Sequence, residues 1–492
     1  MLARLQETVR HSAIYTLPSI ASQVIGIILV PIYTRIFVPA DYGIMAGISL
    51  AIPITTWLLM CGIESAVARH YMDSQDEQDK KVTAATGLYF VAILSFSVVG
   101  ISVLFFSKEI SQLVLDDPQY STYFVVALAA IPFQLCYKLA LDILRFRFRV
   151  NLRTILSIAH MLVNIGLTIY FVVFLRIGIL GVYLATLITG VTFCVAVLLM
   201  VWRNYGRVFS FQRLKQMLAY GIPLVPTSMV AYIYQYADRY LLIRLANLEA
   251  VGLYSVGMTI ASAITLIMGG FQSAWVPIML STFRDEGSKE FYARVFNYYW
   301  ALVLFAAVGI SLLSKEVITI LAPATYLDAS KVVPFLLLSI LFYNGLTAFS
   351  FGISIAKKTK YRLMLMTVTA AINIGLNYLL IPGYGMVGAA IATLISSVIH
   401  GIASFIVSQR LYHVTYDLAT FFKILMVAVA IMFTSYFLFS DVNLQNILIK
   451  VGLIGVFMAC LYFFKLIGRE ELIYLKKLAY RVLLRRRDIT QF

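Results

Sequence analysis

The chain has 492 residues, of which 61% are hydrophobic and only 13% are Asp, Glu, Lys or Arg, and its mean hydropathy is +0.89. Globular domains carry about 25% charged residues, and a soluble core stops growing at about 300 residues. The composition therefore excludes a soluble enzyme, a secreted disulfide scaffold and a nucleic-acid-binding module. It indicates that lipid is the solvent.

Apolar runs long enough to cross a membrane fill the chain, since a helix needs about 20 residues to span about 30 Å of hydrocarbon. The first run exceeds the core of a signal peptide and lacks a small-residue cleavage pattern, so we interpret it as a retained helix. Connections are short, which predicts no inserted soluble domain. The fourteen predicted spans are residues 12–38, 43–68, 82–106, 119–141, 154–175, 178–202, 220–246, 250–282, 293–314, 330–356, 361–381, 384–408, 420–440 and 446–467.

Basic residues are distributed unevenly among alternate loops. An even number of spans places both termini on one side, and that side holds 31 of the 39 Lys and Arg residues, whereas the opposite side and its helix ends hold 8. Cytoplasmic loops carry such an excess. We therefore predict cytoplasmic termini, and we attribute the net charge of +16 to topology and not to a nucleic-acid partner.

Four sequence matches recur at nearly one offset and indicate an internal duplication. The matched segments are Asn164-Ile-Gly-Leu167 with Asn373-Ile-Gly-Leu376, Gly178-x-x-Gly181 with Gly385-x-x-Gly388, Tyr15-x-x-Pro18 with Tyr220-x-x-Pro223, and Arg35-x7-Gly43 with Arg244-x7-Gly252. A unit of six helices inserts twice in the same direction, so the copies are related by an axis along the membrane normal.

The duplication predicts an all-α polytopic membrane protein with two parallel six-helix lobes around a central cavity and two C-terminal helices. We predict an N-lobe at residues 1–204, a C-lobe at 205–410, helices 13 and 14 at 411–467, and a basic cytoplasmic tail at 468–492. The tail is either a topological anchor or a helix lying on the anionic inner leaflet. Two like lobes that rock about a cleft can provide alternating access, which favours a transporter.

Patterns typical of enzymes and metal sites are missing from the sequence. The four cysteines lie inside apolar runs without a Cys-x-x-Cys pair, so we predict packing roles and no metal site. The chain has no ATP-binding G-x-x-x-x-G-K-[ST] motif, no Asp-x-Asp, and no large outer loop for a polymerase or ligase. We expect a transporter without a cofactor, driven by an ion gradient, the membrane potential or substrate consumption.

Charged residues inside the predicted spans are candidates for a site. Glu64 lies near the inner end of the second span, above Arg69. A charge at the bilayer centre costs about 2.5 to 3.5 kcal/mol, so Glu64 needs a wet cavity or a partner. The alternative is a pair with Arg69 that only ends the helix.

A second charged group lies in the outer thirds of spans 1 and 7, which the duplication makes equivalent. It consists of Arg35, Asp238, Arg239 and Arg244. An ion pair of Asp238 with Arg239 or Arg35 that holds the lobes together is one interpretation. Contact with a substrate in the cleft is the other.

Polar and aromatic residues on the same helices have two interpretations. Asn373 and Asn377 share a helical face, and Asn164 is their counterpart in the first repeat. These amides bind sugar hydroxyls or, more commonly, join neighbouring helices. Tyr232 and Tyr236 form a stripe along one helix. The stripe could stack on pyranose rings, or its residues could form part of an aromatic belt or simply pack against neighbouring helices.

A basic cluster near the inner end of the fourth span contains Lys138, Arg145 and Arg149. Guanidinium groups bind pyrophosphate oxygens in a bidentate manner, which predicts capture of a phosphate head group from the cytoplasmic leaflet. The excess of positive charge in inner loops explains the cluster equally simply.

Four short motifs support a resemblance to a known family. They are the Pro39-Ala-Asp-Tyr-Gly43 turn, Tyr220-Gly-Ile-Pro223, Asp238-Arg239, and Val251-Gly-Leu-Tyr254. With its two six-helix lobes plus two helices, the whole chain resembles the polysaccharide-biosynthesis (Wzx-type) flippases. These are the O-antigen and capsule repeat-unit translocases of the multidrug/oligosaccharidyl-lipid/polysaccharide exporter superfamily.

The resemblance implies transfer of an undecaprenyl-diphosphate-linked oligosaccharide from the inner to the outer leaflet of the bacterial cytoplasmic membrane, alongside polysaccharide polymerase machinery. It implies a cationic cavity lined by Arg35, Arg239 and Arg244, and proton or sodium coupling through Glu64 and Asp238. Three alternatives stay open: a cation-coupled drug exporter of the same superfamily, a membrane glycosyltransferase or polymerase, and a scaffold without transport.

Overall fold

The computed structural model describes residues 25–147, 149–205, 208–358, 360–438 and 442–464. Throughout these ranges the regular structure is helical and no strand forms, as the sequence predicts. The C-terminal tail and the first half of the first predicted span lie outside the described residues. The lobe boundaries at residues 204 and 410 stay predictions, and the names N-lobe and C-lobe are kept for those ranges.

Short breaks divide five of the fourteen predicted spans into two or more helices. The helices are α1 (Ile25–Ile36), α2 (Pro39–Met60), α3 (Ile63–Asp73), α4 (Glu77–Phe105), α5 (Ser107–Leu115), α6 (Ser121–Ala129), α7 (Ile131–Phe146), α8 (Val150–Ile169), α9 (Ile179–Val201), α10 (Phe211–Gly221), α11 (Val225–Leu245), α12 (Leu248–Ser262), α13 (Ile264–Thr282), α14 (Ser288–Leu312), α15 (Ser314–Leu321), α16 (Val333–Ile340), α17 (Leu346–Ala348), α18 (Gly352–Ile355), α19 (Lys360–Leu411), α20 (Leu418–Leu438) and α21 (Leu444–Phe463).

Polar caps mark the start of several helices. The Asp76 carboxylate accepts hydrogen bonds from the backbone N–H groups of Gln78 and Asp79 and begins α4. The side chains of Asn247 and Asn443 begin α12 and α21 in the same way. Each cap satisfies N–H groups that have no partner within the helix, so the local sequence fixes where these helices begin.

Twelve helical segments in the described part of the chain are long and apolar enough to cross a membrane, so the prediction of fourteen is approximate. The 52 residues of α19 contain two predicted spans, and a straight helix of that length would extend about 78 Å. At Gly385 the backbone leaves helical geometry, with φ 53° and ψ −132°, and the chain turns. The predicted eighth span is divided into α12 and α13 at Ala263.

Matched glycines of the two repeats have the same structural role. Gly178 and Gly385 both adopt a positive φ, 73° and 53° respectively, which glycine tolerates without steric cost. Three residues later, a Cβ on Gly181 would lie 3.0 Å from a side-chain atom of Phe171, and one on Gly388 would lie 2.3 Å from the carbonyl oxygen of Leu380. Each repeat therefore requires glycine at two positions in the connection between its fifth and sixth spans.

The lobes meet through backbone contact at the end predicted to face outward, which we call the outer end. A Cβ on Gly43 in α2 would lie 1.9 Å from the carbonyl oxygen of Leu248, and one on Gly252 in α12 would lie 1.9 Å from that of Pro39. The crossing is symmetric because Gly43 and Gly252 are matched residues of the duplication. It closes the outer end tightly.

The opposite, inner end has a second glycine contact between the lobes. The predicted span 43–68 breaks at Cys61 and Gly62, where φ is 48° and 70°. A Cβ on Gly62 would lie 2.2 Å from the carbonyl oxygen of Gly221 in α10. The break therefore lets the chain pass close to α10, an interaction that hydropathy alone does not reveal.

Helices α20 and α21 pack on the outside of the C-lobe. Trp300 of α14 meets Phe421 of α20 edge to face, with ring centroids 4.8 Å apart. At the outer end, Lys450 of α21 forms a buried ion pair with Glu316 of α15, at 2.6 Å. Aromatic packing and this ion pair together attach the last two helices to one lobe.

Candidate functional site between the lobes

Helix α11 separates two cavities. The first, called the seam groove, has a volume of about 430 Å³ and lies between the lobes. Its largely apolar walls are Leu50, Ala51, Ile54, Leu113, Val114, Tyr232, Ile233, Tyr236, Ala237, Tyr240, Leu241, Ile374 and Tyr378. The second, called the C-lobe cavity, has about 340 Å³ and is more polar. Its walls include Tyr234, Gln235, Asp238, Arg239, Ser262, Thr265, Ser339, Tyr343, Asn344, Thr393 and Ser397.

The predicted tyrosine stripe faces the seam groove. Tyr232 is 4% exposed, and its hydroxyl donates a hydrogen bond to the carbonyl oxygen of Leu50 in the N-lobe, at 2.6 Å. Its ring stacks on Tyr236 at 4.5 Å and meets Trp57 edge to face at 5.5 Å. Tyr232 is therefore a packing residue that joins the lobes, whereas the half-buried Tyr236 is the one available to a ligand.

Asp238 and Arg239 lie together at the C-lobe cavity. Asp238 is 2% exposed, and its carboxylate accepts hydrogen bonds from the Tyr254 hydroxyl and from the backbone N–H of Arg239, the latter at 2.7 Å. The Arg239 guanidinium lies 3.8 Å from that carboxylate and over the rings of Tyr236 and Tyr254. The predicted pair forms, but both residues belong to α11, so it does not hold the lobes together.

At the outer end, an ion pair between Arg244 and Asp116 joins the lobes. The Arg244 guanidinium at the outer end of α11 binds the Asp116 carboxylate just after α5, and it donates to the carbonyl oxygens of Gln112 and Leu113 at 3.1 and 2.6 Å. A cation at a helix C-terminus is favourable. Arg35 lies exposed at the end of α1 and is not among the described residues that line the seam groove.

Replacing Arg244 with glutamine should loosen the outer end. The ion pair is partly exposed, so its loss costs about 1 kcal/mol, and two bonds to backbone carbonyls are lost with it. We expect a membrane-impermeant thiol reagent to modify a Tyr240→Cys probe faster in this variant than in the parent. Arg176→Gln, a change to an exposed arginine, is the control. Equal labelling rates in both variants would contradict the role of Arg244.

At the inner end of the N-lobe, Glu64 pairs with Lys138. The Glu64 carboxylate lies 2.7 Å from the Lys138 amine of α7. The alternative pair with Arg69 is wrong. Both residues lie in α3 but are five positions apart, so their side chains point about 140° apart, and the Arg69 guanidinium lies 3.7 Å from Asp73 instead. Two residues predicted for separate roles are thus brought together.

Asp142, the most deeply buried acid of this region, is not among the residues predicted from the sequence. It is 3% exposed and lies 3.4 Å from Arg145 and 4.0 Å from Arg153. Its second carboxylate oxygen has no hydrogen-bond partner among the described residues. The signal was present in the sequence, since Asp142 interrupts an apolar run three residues before Arg145. Of the predicted phosphate-capture residues, Lys138 and Arg145 therefore already face acids, and Arg149 is exposed.

The inner end has a further set of contacts between the lobes. Arg213 of α10 forms an ion pair with Asp79 of α4, and the Arg69 guanidinium lies over the Tyr220 ring at 4.9 Å. Burial, and after it the Arg213 guanidinium, lowers the pKa of the neighbouring His70. The lowered pKa disfavours the charged form of His70 beside this contact.

Two of the predicted asparagines, Asn164 and Asn373, join neighbouring helical segments, whereas Asn377 donates to Asn373 on its own segment. Asn164 donates to Thr186 at 3.5 Å, and the matched Asn373 donates to the matched Thr393 at the same distance. Asn373 and Asn377 are 1% and 0% exposed. Their geometry favours the packing alternative, and it keeps both amides of the C-lobe out of reach of a large sugar.

Comparison with solved structures identifies the fold. The lipid II flippase MurJ in an inward closed conformation matches with a TM-score of 0.71 and 19% identity, over 91% of this chain and 98% of that one. An inward-facing multidrug resistance MATE family transporter of the MOP superfamily matches at 0.63 and 18%, over 79% and 94%. A mutant of the Vibrio cholerae MATE transporter VcmN matches at 0.57 and 16%, over 83% and 96%.

Sequence comparison identifies the family. No curated protein sequence gives a significant match. The family model described as "Polysaccharide biosynthesis protein" matches residues 32–331, which is more than half of the chain. The matched region contains both helices of the outer crossing, the whole of α11 and the Asp238-Arg239 pair. The chain therefore belongs to the polysaccharide biosynthesis protein family.

Proposed function

We propose that this protein is a flippase that moves an undecaprenyl-diphosphate-linked oligosaccharide from the inner to the outer leaflet of the bacterial cytoplasmic membrane by alternating access. Family membership supports a role in polysaccharide synthesis, and the fold of MOP transporters supports transport without covalent chemistry. Delivery to polymerase machinery at the outer leaflet, for O-antigen or capsule, is part of the proposal.

The observation that carries the proposal is the construction of the seam. The lobes touch at both ends and along α11, and the contacts include a close glycine contact at each end, single hydrogen bonds and partly exposed ion pairs. Such contacts can separate without unfolding either lobe. An open seam shields the head group from hydrocarbon, where each unsatisfied polar group costs several kcal/mol, while the prenyl chain stays in lipid.

Within this proposal the cations named from the sequence bind the diphosphate at successive stages. On the inner side, a diphosphate reaches Arg149 directly and competes with Glu64 for Lys138. Arg239, with Arg35 and Arg244 nearer the outer end, provides positive charge beside the seam. Tyr236 presents its ring to the sugar chain.

Ion coupling belongs to Asp238 in this proposal. Its buried carboxylate holds Arg239 beside the C-lobe cavity, so a proton or sodium ion that neutralises Asp238 releases that guanidinium. Glu64, which holds Lys138, is the corresponding acid of the N-lobe. Ion binding at the two acids then frees the two cations, Arg239 and Lys138, to bind the cargo.

Replacing Asp238 with asparagine tests the coupling. Asparagine keeps the side-chain shape but leaves Arg239 without its counter-ion, so we expect flipping by the protein in proteoliposomes to fall by about tenfold, equivalent to about 1.4 kcal/mol, and to lose its dependence on a proton or sodium gradient. Asp117→Asn, at the half-buried outer turn after α5, is the control. Unchanged rate and unchanged ion dependence would remove Asp238 from the mechanism.

The transport proposal itself is tested in a deletion strain. Lipid-linked repeat units should accumulate on the inner leaflet, where an impermeant sugar-oxidising reagent applied outside spheroplasts does not reach them. Restoring the gene should restore labelling. If the units reach the outer leaflet at normal rates in a strain without a redundant carrier, the proposal fails.

The second candidate is a cation-coupled exporter of organic cations. The apolar, aromatic seam groove and the similarity to MATE transporters favour it. The guanidinium of Arg239 beside that groove opposes it, because it repels a cationic cargo. Neighbouring genes separate the two: sugar transferases accompany a flippase, and a drug-responsive regulator accompanies an exporter.

A further inference from the structure

A third cavity, called the outer cavity, lies at the outer end between the C-lobe and the last two helices. Its volume is about 440 Å³. Elements α14 and α15, the turn at Ala324–Val332, α20 and α21 surround it. Its walls include the polar side chains of Ser311, Ser314, Lys315, Ser330, Lys331 and Lys450.

Positive charge dominates the walls of this cavity. Three lysines line it with one acid, Asp328, which lies 3.0 Å from Lys331. A second acid, Glu316, pairs with Lys450 behind the wall, so the lysines exceed the acids by one. The predicted outer side of the membrane holds only 8 Lys and Arg residues in the whole chain, because topology concentrates such residues on the inner side. Three of those few converge here, so the charge needs an explanation other than orientation.

The base of the cavity is buried and incompletely satisfied. Lys450 is 2% exposed and pairs with Glu316 at 2.6 Å, at a depth of about 9 Å from the start of α21. The second carboxylate oxygen of Glu316 and the hydroxyl of Ser311 are buried without a hydrogen-bond partner among the described residues. Buried polar groups in proteins nearly always have partners. The Ser311 hydroxyl lines the cavity and can donate to a ligand oxygen or a water, whereas the Glu316 oxygen can only accept and needs a donor such as water.

The matching segment of the N-lobe shows that the cavity is specific to the C-lobe. Ser107-Lys108-Glu109 at the start of α5 repeats as Ser314-Lys315-Glu316 at the start of α15. In the N-lobe, Lys108 and Glu109 are exposed. In the C-lobe, the added helices cover the same three residues and bring Lys450 to them. The outer cavity therefore exists only because two helices were added to the duplication.

We propose that the outer cavity binds a phosphate group, supplied by the head group of an anionic phospholipid of the outer leaflet. Lysine amines are compact cations that bind phosphate oxygens, and the Ser311 hydroxyl, which has no partner among the described residues, can donate to the same oxygens. The Ser314 and Ser330 hydroxyls already donate to the carbonyl oxygens of Ser311 and Leu327. Residues of both α20 and α21 line the cavity opposite residues of the C-lobe. A bound lipid therefore holds these two helices against the C-lobe. This site is separate from the seam, and its occupancy does not depend on the transported cargo.

Retention of lipid by the purified protein tests the site. The protein is released for native mass spectrometry from nanodiscs of phosphatidylglycerol and phosphatidylcholine, and the retained phosphatidylglycerol is measured. We expect Lys315→Gln and Lys331→Gln to lower its affinity about fivefold each. Lys108→Gln, at the matched exposed position, should leave it unchanged. Both substituted lysines are partly exposed, so folding should be preserved, and circular dichroism verifies it.

The outcomes separate the two sources of phosphate. Lysine-dependent retention of phosphatidylglycerol identifies a lipid. Thermal stabilisation by inorganic phosphate, lysine-dependent and without lipid retention, identifies a free phosphate. Lipid retention and phosphate stabilisation that are the same in Lys315→Gln, Lys331→Gln and Lys108→Gln would overturn the proposal.

Discussion

Replacing Gly43 with alanine is expected to force α2 away from α12 and to destabilise the closed outer end. The added Cβ would lie 1.9 Å from the backbone oxygen of Leu248, and no side-chain rotation relieves a clash with backbone. Overpacking of this kind costs about 1 to 3 kcal/mol or more. Gly252→Ala should have an equal effect, since it meets Pro39 at the same distance. The apparent melting temperature in detergent and labelling of the Tyr240→Cys probe measure both changes.

Gly100→Ala is the matched control for this pair. Gly100 lies inside α4, and a Cβ there would have no described atom within 4 Å. Alanine is favoured over glycine in a helix by about 1 kcal/mol, so the control should be neutral or slightly stabilising. If Gly43→Ala and Gly252→Ala behave like Gly100→Ala, the close crossing of the lobes is incorrect.

Lys450→Met is expected to destabilise the protein by about 3 to 5 kcal/mol, because it leaves the Glu316 carboxylate buried and unpaired. Both partners are nearly inaccessible, with side chains 3% and 9% exposed. Adding Glu316→Gln should recover most of the loss, since the remaining amide is neutral. A double-mutant cycle on the apparent unfolding free energy measures the coupling.

Lys331→Met tests whether burial is the cause. Lys331 also pairs with an acid, Asp328, but both side chains are at least half exposed, and exposed pairs contribute about 0 to 1 kcal/mol. A loss at Lys331 as large as that at Lys450, or a Glu316→Gln change that fails to rescue Lys450→Met, would show that the buried pair is not the source of the effect.

Hydropathy and spacing were sufficient for the fold class and for most spans. Both depend on the solvent: in hydrocarbon a chain must satisfy its own backbone groups, so long apolar runs become helices. Helix breaks were not predictable in this way. The break at Gly62 depends on the backbone of Gly221, which is distant in sequence. Helix α19 continues across the loop predicted between residues 381 and 384, because a single non-helical residue, Gly385, is enough to turn the chain.

The candidate site was only partly predictable for a related reason. The sequence identifies charged side chains inside spans, such as Glu64 and Asp238, because they are rare there. It does not identify their partners: Glu64 pairs with Lys138 from another helix, and Arg244 pairs with Asp116 from the other lobe. Which residues pair depends on how each helix is rotated about its own axis relative to its neighbours. The helical period of 3.6 residues shows which residues share a face, but not which neighbouring helix that face contacts.

The position of α11 has a mechanical consequence. Successive residues of a helix point about 100° apart, so Tyr236 and Asp238 face nearly opposite directions, one into the groove and the other into the C-lobe cavity. A small rotation of α11 about its axis would change the shape of the seam groove and of the C-lobe cavity at the same time. In the proposed mechanism, a change of charge at Asp238 therefore reaches Tyr236 through the movement of α11 itself.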